Sequence, residues 1–320
     1  MKYYGLNLLR GLAAFGIVGC HLNFNPLTKV GKVLMAYTDM NVGVFGAISG
    51  FLLAMGMERR DKNSVLNSIF HKGGRLLPIY IFWTIFYVLA ALTFDVAFEG
   101  GINHGWKHYS YWLSVVLRGG ASCHLWYVID LFYVSCIVIL IDNALTKFAR
   151  NKIIAILASV VLIVASTHSS SSMVFGYYFL RLFAFVLLGW WLYWMREYID
   201  KLHILVLALM VVLVIIARPL CVGVTHKFLL DYACAIPFLL VAMRTNFPKT
   251  IIGEFLGAQS LGIYLVHPIV AVVIVMVAKK LFTSPYNGGE LVVVWMIVYA
   301  ISMAVTLAIK RISWISKVVK

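Results

Sequence analysis

The first apolar segment of this sequence carries two ionisable residues, Arg10 and His21, whose chemistry suits anion binding and proton transfer. They stand eleven residues apart, which on an α-helix is three turns plus about 20°, so both side chains project from one face with a rise of about 16 Å between them. A guanidinium suits a phosphate, and a neutral imidazole suits removal of a proton from a hydroxyl. The spacing therefore predicts a path from a bound phosphate to a reacting hydroxyl, although Arg10 at the headgroups and His21 at the opposite interface would give the same pattern.

A basic cluster of His71, Lys72 and Arg75 comes directly before an apolar stretch. Pro78 suits the first turn of a helix, so we predict that a helix begins near residue 76. Such a cluster can hold the phosphates of a soluble cosubstrate that arrives from the cytoplasm. It also satisfies the bias of cytoplasmic loops towards Lys and Arg, and the sequence leaves both interpretations open.

The run from His124 to Tyr127 opens an apolar segment that also contains Asp130. If the helix includes His124, this residue, Tyr127 and Asp130 share a face. Trp126 and Tyr127 are typical of the aromatic belt at a membrane surface. A carboxylate inside a membrane helix needs a positive or hydrogen-bonded partner, for which Arg181 is the nearest candidate in kind. A structural pair is the default interpretation of Asp130.

A histidine followed by a proline interrupts a long apolar segment, in the run from Ser260 to Pro268 that includes Tyr264 and His267. Proline lacks a backbone N–H and therefore leaves a carbonyl of the preceding turn without its helical donor. A kinked helix with a polar residue at the break is a common intramembrane site, and a kink stabilised by His267 alone fits the sequence equally well. Asp231 is a further buried charge without an obvious role.

The composition indicates which kind of fold positions these residues. Of 320 residues, 62% are hydrophobic and 12% are charged, and the mean hydropathy is +0.93. This leaves too little polar surface for a water-soluble globule, so the chain is predicted to lie in a lipid bilayer. The apolar stretches have helix-spanning length, which predicts an all-α, polytopic membrane protein. About ten transmembrane helices are expected, at 6–24, 38–57, 76–96, 123–142, 153–167, 173–195, 202–217, 228–243, 251–278 and 290–310.

The charges predict how these helices are oriented. Lys and Arg outnumber Asp and Glu by 27 to 12, for a formal charge of +15. Seventeen basic residues fall on one side of the predicted topology and eight on the other, with Arg10 and Arg181 inside helices. The richer side is expected to be cytoplasmic and to hold both termini. Because the basic residues lie between apolar runs, no nucleic-acid partner is expected.

The predicted domain organisation is a single transmembrane domain over residues 1–320, with no separate soluble domain. Even the longest polar connections, 58–75 and 97–122, are too short to fold alone. The five cysteines lie in or beside apolar runs and are interpreted as small buried hydrophobes. No HExxH, paired CxxC, P-loop or nucleophile elbow occurs, so neither a metal nor a tightly bound prosthetic group is expected.

Five motifs in the expected order resemble the acyltransferase-3 family, the multi-pass membrane acyltransferases that modify bacterial surface glycans. The first resembles the family's arginine, ten residues and a histidine, here Arg10 and His21. The other four are similar to its SGFLL stretch, its third motif, its HLWF segment and its YLxHP segment, here at Ile48–Leu53, Arg75–Pro78, His124–Tyr127 and Tyr264–Pro268. One departure is Lys72, where many members have arginine, so the charge is kept and the bidentate geometry is lost.

The resemblance implies transfer of an acyl group, usually acetyl, from cytoplasmic acyl-CoA to a hydroxyl of a surface or lipid-linked glycan. It implies that His21 is the general base and that Arg10, Lys72 and Arg75 bind the acyl-CoA. Residues expected to support the reaction or line the acceptor site are Ser49, His124, Trp126, Asp130, Tyr264 and His267. The expected surroundings are the bacterial inner membrane and its lipids, with acetyl-CoA as cosubstrate and a glycan or glycolipid as acceptor.

A glycan exporter or flippase without acyl-transfer chemistry is the alternative, because buried polar groups suit both functions. A basic cluster at the cytoplasmic end with a single histidine deeper in the membrane favours transfer. Acyl transfer requires both groups, whereas translocation does not. The lack of a soluble domain favours a small or lipid-linked acceptor. The identity of the glycan, the acyl chain and homo-oligomer formation are left open.

Overall fold

The computed structural model describes residues 3–22, 27–38, 40–59, 65–98, 108–144, 151–168, 176–221, 227–282, 286–313 and 315–319. These ranges are almost entirely helical and contain no strand beyond an isolated β-bridge between Leu27 and Tyr286. In chain order the helices are α1 (Tyr4–Cys20), α2 (Lys29–Ala36), α3 (Asn41–Glu58), α4 (Val65–Phe98), α5 (Tyr109–Arg118), α6 (Trp126–Ala144), α7 (Lys152–His168), α8 (Tyr177–Trp194), α9 (Arg196–Lys201), α10 (Ile204–Ala217), α11 (Lys227–Ala242), α12 (Ile251–Leu281) and α13 (Gly288–Arg311). Short 3-10 turns lie at Arg218–Cys221 and Ser316–Val319.

Each predicted apolar segment contains a helix. In the described part of the chain six stretches are long and apolar enough to cross a membrane: Lys29–Glu58, Val65–Thr93, Trp126–Ala144, Tyr177–Trp194, Ile251–Leu281 and Gly288–Arg311. Shorter apolar helices occupy the other predicted segments, at Tyr4–Cys20, Leu157–His168, Ile204–Leu220 and Leu230–Ala242. The all-helical, multi-pass architecture is confirmed, while ten membrane crossings and two cytoplasmic termini stay predictions.

The chain divides into two compact units. Unit 1 consists of Met1–Leu52 with Gly189–Lys320, and unit 2 of Leu53–Leu188. Helices α1, α2 and α9 to α13 belong to unit 1, and α4 to α7 belong to unit 2, whereas α3 and α8 have residues in both. A single domain over residues 1–320 stays a prediction.

In unit 1, small residues let α1 and α12 approach closely. A Cβ atom on Gly11 would lie 2.5 Å from the Leu256 Cβ, and one on Gly257 would lie 2.5 Å from the Asn7 carbonyl oxygen. Since packed atoms do not come this close, no larger side chain fits at either position without a shift of the helices. Membrane helices gain stability from such close packing, which small residues permit.

A buried ion pair accounts for Asp231 in unit 1. The Asp231 carboxylate accepts a hydrogen bond from Arg218, and the two side chains are 0% and 1% exposed. The Nε of Arg218 also donates to the Ala36 carbonyl at 2.8 Å. Because a buried charge needs a partner, the pair ties the end of α2 to α11 and gives Asp231 a structural role.

In unit 2, α4 packs against α6, and a tight turn follows α5. The Tyr80 hydroxyl on α4 lies 2.5 Å from the Val115 carbonyl oxygen and accepts the Gly119 N–H at 3.0 Å. Gly119 has a φ of +68°, in the left-handed region that favours glycine at the end of a helix. This turn leads the chain into the segment that carries His124.

Candidate active site

Two histidines meet at the end of α1, within unit 1. The helix ends at Cys20, so His21 is its C-cap residue rather than a residue inside a helix over 6–24. The ring centroids of His21 and His267 on α12 are 5.0 Å apart, and the ring planes are tilted by 42°. His267 is buried and His21 is half-buried. The two imidazole rings are therefore in contact.

The proline after His267 explains how that ring is held. A helical Tyr264 carbonyl normally accepts the N–H four residues later, which is position 268, and Pro268 has no N–H. The Tyr264 carbonyl instead lies 2.7 Å from Nδ1 of His267, and the Ile263 carbonyl lies 3.2 Å from the same nitrogen. The break in the backbone ladder is therefore filled by the histidine side chain.

Arg10 marks the other end of the α1 and α12 pair. Its guanidinium donates to the Gly257 carbonyl, through Nε at 3.0 Å and also through Nη2. The Ser260 hydroxyl donates to the same oxygen at 2.8 Å. Arginine has five N–H donors, so this anchor is compatible with bidentate binding of a phosphate.

The side chains of Arg10 and His21 both reach α12, as expected for two residues that project from one face of α1. Arg10 contacts Gly257 and His21 lies beside His267, so the order along the two helices is the same and the helices run parallel. The two α12 residues are separated by about 15 Å of helix rise. The basic end and the histidine end of the pair are thus separated along its axis by roughly the length that the sequence predicted.

A second cation lies at the level of Arg10. The Lys310 ammonium, at the end of α13, donates to the Ala258 carbonyl at 2.6 Å and to Gln259 Oε1 at 2.7 Å. Ala258 directly follows the residue that anchors Arg10, about 1.5 Å further along the axis. The sequence analysis counted Lys310 only in the charge balance, because no local pattern indicates its contact with a residue 52 positions earlier.

α3 brings Ser49 to the same unit. The Phe45 and Tyr264 rings stack with centroids 6.1 Å apart, so this part of α3 lies beside α12. Ser49 is half-buried and one turn after Phe45, on the same face of α3. The SGFLL stretch therefore places a hydroxyl on the helix face that meets Tyr264.

Lys72 and Arg75 lie on α4, in unit 2. α4 begins at Val65, so the prediction of a helix start near residue 76 is wrong, and Pro78 lies in the helix interior rather than in its first turn. A long helix continues through a proline because only one backbone hydrogen bond is lost. Arg75 is exposed, whereas Lys72 is half-buried with its charge acting on the Cys136 thiol of α6.

His124 is buried in the turn before α6 rather than inside a helix over 123–142, and the Tyr127 N–H donates to its carbonyl at 3.2 Å. Its Nδ1 lies 3.0 Å from the Ser122 hydroxyl, and the Tyr87 ring stands edge-on to it with centroids 5.0 Å apart. The helix starts only after His124 because the segment from Gly119 onwards forms tight turns.

Trp126 and Asp130 belong to the same part of unit 2. The Trp126 ring lies 4.8 Å from the Tyr178 ring, centroid to centroid. Asp130 is buried, and Arg118, at the end of α5, is close enough for its charge to act on the carboxylate. Sequence reasoning did not consider Arg118 for this role because it precedes the turn that brings it back to α6.

The predicted residues thus divide between the units. Unit 1 holds Arg10, His21, Ser49, Tyr264 and His267, whereas unit 2 holds Lys72, Arg75, His124, Trp126 and Asp130. The residues that sequence reasoning missed are Lys310, Gln259, Ser122, Tyr87 and Arg118. Within the described ranges, no group of three or more His, Cys, Asp or Glu residues is arranged to hold a metal ion.

Comparison with known families identifies the chain. The family model of the acyltransferase-3 type, an acyltransferase domain, matches residues 3–311. The chain belongs to the acyltransferase-3 family. This acyltransferase-3 member is a multi-pass membrane protein, as its apolar helices indicate, and the predicted resemblance to the family is confirmed. Searches of curated proteins and of solved structures return no significant match.

Proposed function

We propose that this acyltransferase moves an acetyl group from cytoplasmic acetyl-CoA to a hydroxyl of a surface or lipid-linked glycan, in the bacterial inner membrane. The observation that carries the proposal is the α1 and α12 pair, with Arg10 anchored at one end and two histidines together at the other. A thioester donor has anionic phosphates at one end and its reactive carbon at the other. The pair offers matching chemistry at two separated points.

In this reaction His21 is the general base. It takes the proton of the acceptor hydroxyl while the hydroxyl oxygen attacks the thioester carbonyl carbon. A carbon–oxygen bond forms, the carbon–sulfur bond breaks, and the CoA thiolate leaves. His21 then returns the proton to the thiolate, so the products are an ester and free CoA.

The donor phosphates are bound by the basic residues. Arg10 and Lys310 present two cations at adjacent peptide groups of α12, where their side chains donate to the Gly257 and Ala258 carbonyls and to Gln259 Oε1. Lys72 and Arg75 contribute further cations from α4, as their place in the family's third motif implies. The exposure of Arg75 suits contact with a donor that arrives from solution.

The remaining predicted residues serve the acceptor or support the fold. Ser49 and Tyr264 lie on facing helices of unit 1 and offer hydroxyl groups to a glycan. His124, Trp126 and Asp130 form a second polar and aromatic group in unit 2, where Trp126 and Tyr178 supply the flat surface on which sugar rings pack. The acceptor is a small or lipid-linked glycan that reaches the membrane domain.

Acyl transfer by the purified, reconstituted protein tests the proposal. Radiolabelled acetyl-CoA and a mixed bacterial glycan extract are supplied to wild type, His21→Ala and the control His168→Ala, which changes an exposed histidine at the end of α7. Label is expected on glycan with wild type and control only. Transfer by all three would remove His21 as the base.

Two further outcomes separate the alternatives. If folded wild-type protein binds CoA and transfers no label, acetyl or the supplied glycan is the wrong substrate. If it also fails to bind CoA, the proposed donor is wrong, and glycan export becomes the function to test.

A further inference from the structure

Four exposed lysines lie at one end of unit 1. Lys29 and Lys32 are on α2, and Lys279 and Lys280 are in the last turn of α12. These four residues, the lysine surface, take part in none of the ion pairs among the residues that the structure describes. Four like charges without an acidic partner repel one another, so the lysine surface favours the binding of an anion.

Backbone contacts join the two pairs of lysines. The Thr28 N–H, at the start of α2, donates to the Tyr286 carbonyl at 3.0 Å. Tyr286 follows Lys280 by six residues, which span at most about 21 Å of extended chain. A Cβ atom on Gly288 would lie 2.8 Å from the Val30 side chain, so α2 also packs closely on the start of α13. The two pairs of lysines therefore belong to one surface.

The lysine surface lies at the end of unit 1 that carries the two histidines. Leu22, directly after His21, is buried in one hydrophobic cluster with Ala278 of α12. Along α12, Lys279 lies twelve residues after His267, which is about 18 Å of helix rise. The lysine surface is therefore beyond the histidines, away from the end at which basic residues are proposed to bind the donor.

The lysine surface begins where the exposed apolar face of α12 ends. The exposed side chains just before it are Val272, Val273, Met276 and Val277. A change from exposed apolar residues to lysines indicates the surface of the bilayer. The bias of cytoplasmic loops towards Lys and Arg does not account for these lysines, because this end is predicted to be the non-cytoplasmic one. The four are half of the eight basic residues predicted for that side.

We propose that the lysine surface binds an acidic glycan, so that the acetyl acceptor is a chain of several sugars that carries carboxylate or phosphate groups. This inference rests on the proposed function, in which His21 is the base for transfer to a glycan. An anionic group held about 18 Å beyond the histidines leaves several sugar units between itself and the reacting hydroxyl. Charge complementarity attracts such a chain to this end of unit 1 and discriminates against a neutral glycan.

A comparison of two acceptor pools tests the inference. Anion-exchange chromatography separates the bacterial glycan extract into a neutral and an acidic pool. Transfer from radiolabelled acetyl-CoA is then measured for the full-length protein in vesicles of phosphatidylcholine, a lipid without net charge. We expect wild type to have a KM for the acidic pool about 10-fold below that for the neutral pool. The difference should shrink when the salt concentration rises from about 0.05 M to about 0.5 M, because salt screens exposed charges.

Two double variants test the lysines themselves. Lys29→Glu with Lys32→Glu should raise KM for the acidic pool about 10-fold and leave kcat and KM for acetyl-CoA nearly unchanged. Acidic residues suit the start of a helix, so α2 should still form. Lys279→Gln with Lys280→Gln removes charge without reversing it and should raise the same KM by a smaller factor. Lys317→Glu, at an exposed lysine of the C-terminal 3-10 turn, is the matched control and should leave this KM unchanged.

Three results would overturn the inference while the proposed function stands. The first is a KM for the acidic pool that equals or exceeds that for the neutral pool, and the second is an unchanged KM for the acidic pool in both double variants. The third is an effect of the variants that occurs only in vesicles with added phosphatidylglycerol, which would assign the lysines to anionic lipid headgroups. Wild type that labels neither pool overturns the proposed function and this inference with it.

Discussion

α4 and α12 are both long helices with a proline in their interior, and the same residue has different consequences in them. In α12, the carbonyl that Pro268 leaves without its helical donor is bonded by the buried His267 ring. In α4, the corresponding carbonyl of Pro78 is that of Gly74, an exposed residue where an added Cβ would meet no atom within 4 Å. The difference lies in the residue before each proline, which is His267 in α12 and Leu77 in α4, so the histidine of α12 can donate to the freed carbonyl and the leucine of α4 cannot.

The two helices also differ in how much of them is covered. In the most apolar window of α12, 56% is buried, whereas in that of α4 the buried share is 22%. Residues on α12 are therefore held by close neighbours, as a reacting group requires. Arg75 on α4 remains accessible, as a group that captures a soluble donor requires. In the proposed function, the well-covered helix α12 lies beside the reacting His21, and the accessible Arg75 of α4 binds the donor together with Arg10, Lys310 and Lys72.

The largest effect is expected from removal of the base beside α12. His21→Ala should lower kcat about 10²- to 10⁴-fold because proton removal from the hydroxyl loses its catalyst, while KM for acetyl-CoA changes little. Initial rates over a range of acetyl-CoA concentrations measure both constants. A change confined to KM would place His21 in donor binding instead.

Packing around the two helices is compared by the same substitution on each. Gly257→Ala should destabilise the protein by about 1–3 kcal/mol, because its Cβ meets the Asn7 backbone. Gly74→Ala should stabilise α4 by about 1 kcal/mol, because the site is open and alanine favours helix. Thermal unfolding in one detergent measures both. Equal shifts in Tm would contradict the close contact of α1 with α12.

A smaller effect is expected when a residue that is proposed to bind the donor, Arg75, is replaced. Arg75→Ala should raise KM for acetyl-CoA about 10-fold, the loss of roughly one charge-assisted hydrogen bond, with kcat nearly unchanged. Lys317→Ala, an exposed lysine of the C-terminal 3-10 turn, is the matched control. A fall in kcat with constant KM would assign Arg75 to the chemical step and remove the distinction between the helices.

The smallest effect concerns Lys72, where many relatives have arginine. Lys72→Arg should lower KM for acetyl-CoA by about two- to fivefold, because a guanidinium binds phosphate through two parallel hydrogen bonds and an ammonium does not. Steady-state kinetics beside Lys72→Gln, which removes the charge and should raise KM, supplies the comparison. If both variants raise KM, the lysine contributes through packing rather than phosphate binding.

Local sequence patterns predicted most of the helices. They failed at positions where contacts between distant parts of the chain determine the backbone conformation. The segments were predictable because apolar runs of spanning length have few alternatives in lipid. The start of α4 was predicted too late because Pro78 is typical of a first turn, and nothing local showed that the helix continues through it. His124 was assigned to a helix that begins only after it, since the turns from Gly119 onwards depend on the contact with Tyr80.

By itself the sequence determined the membrane location, the helical segments and the position of Arg10 and His21 on one face of α1. These features follow from hydropathy and helical spacing, which are local properties. Only the tertiary structure decided that His21 lies beside His267, that Lys310 lies beside the anchor of Arg10, and that Arg218 neutralises Asp231. These pairs join residues far apart in the chain. Their contacts depend on how helices pack, which small residues such as Gly257 permit but no single segment specifies.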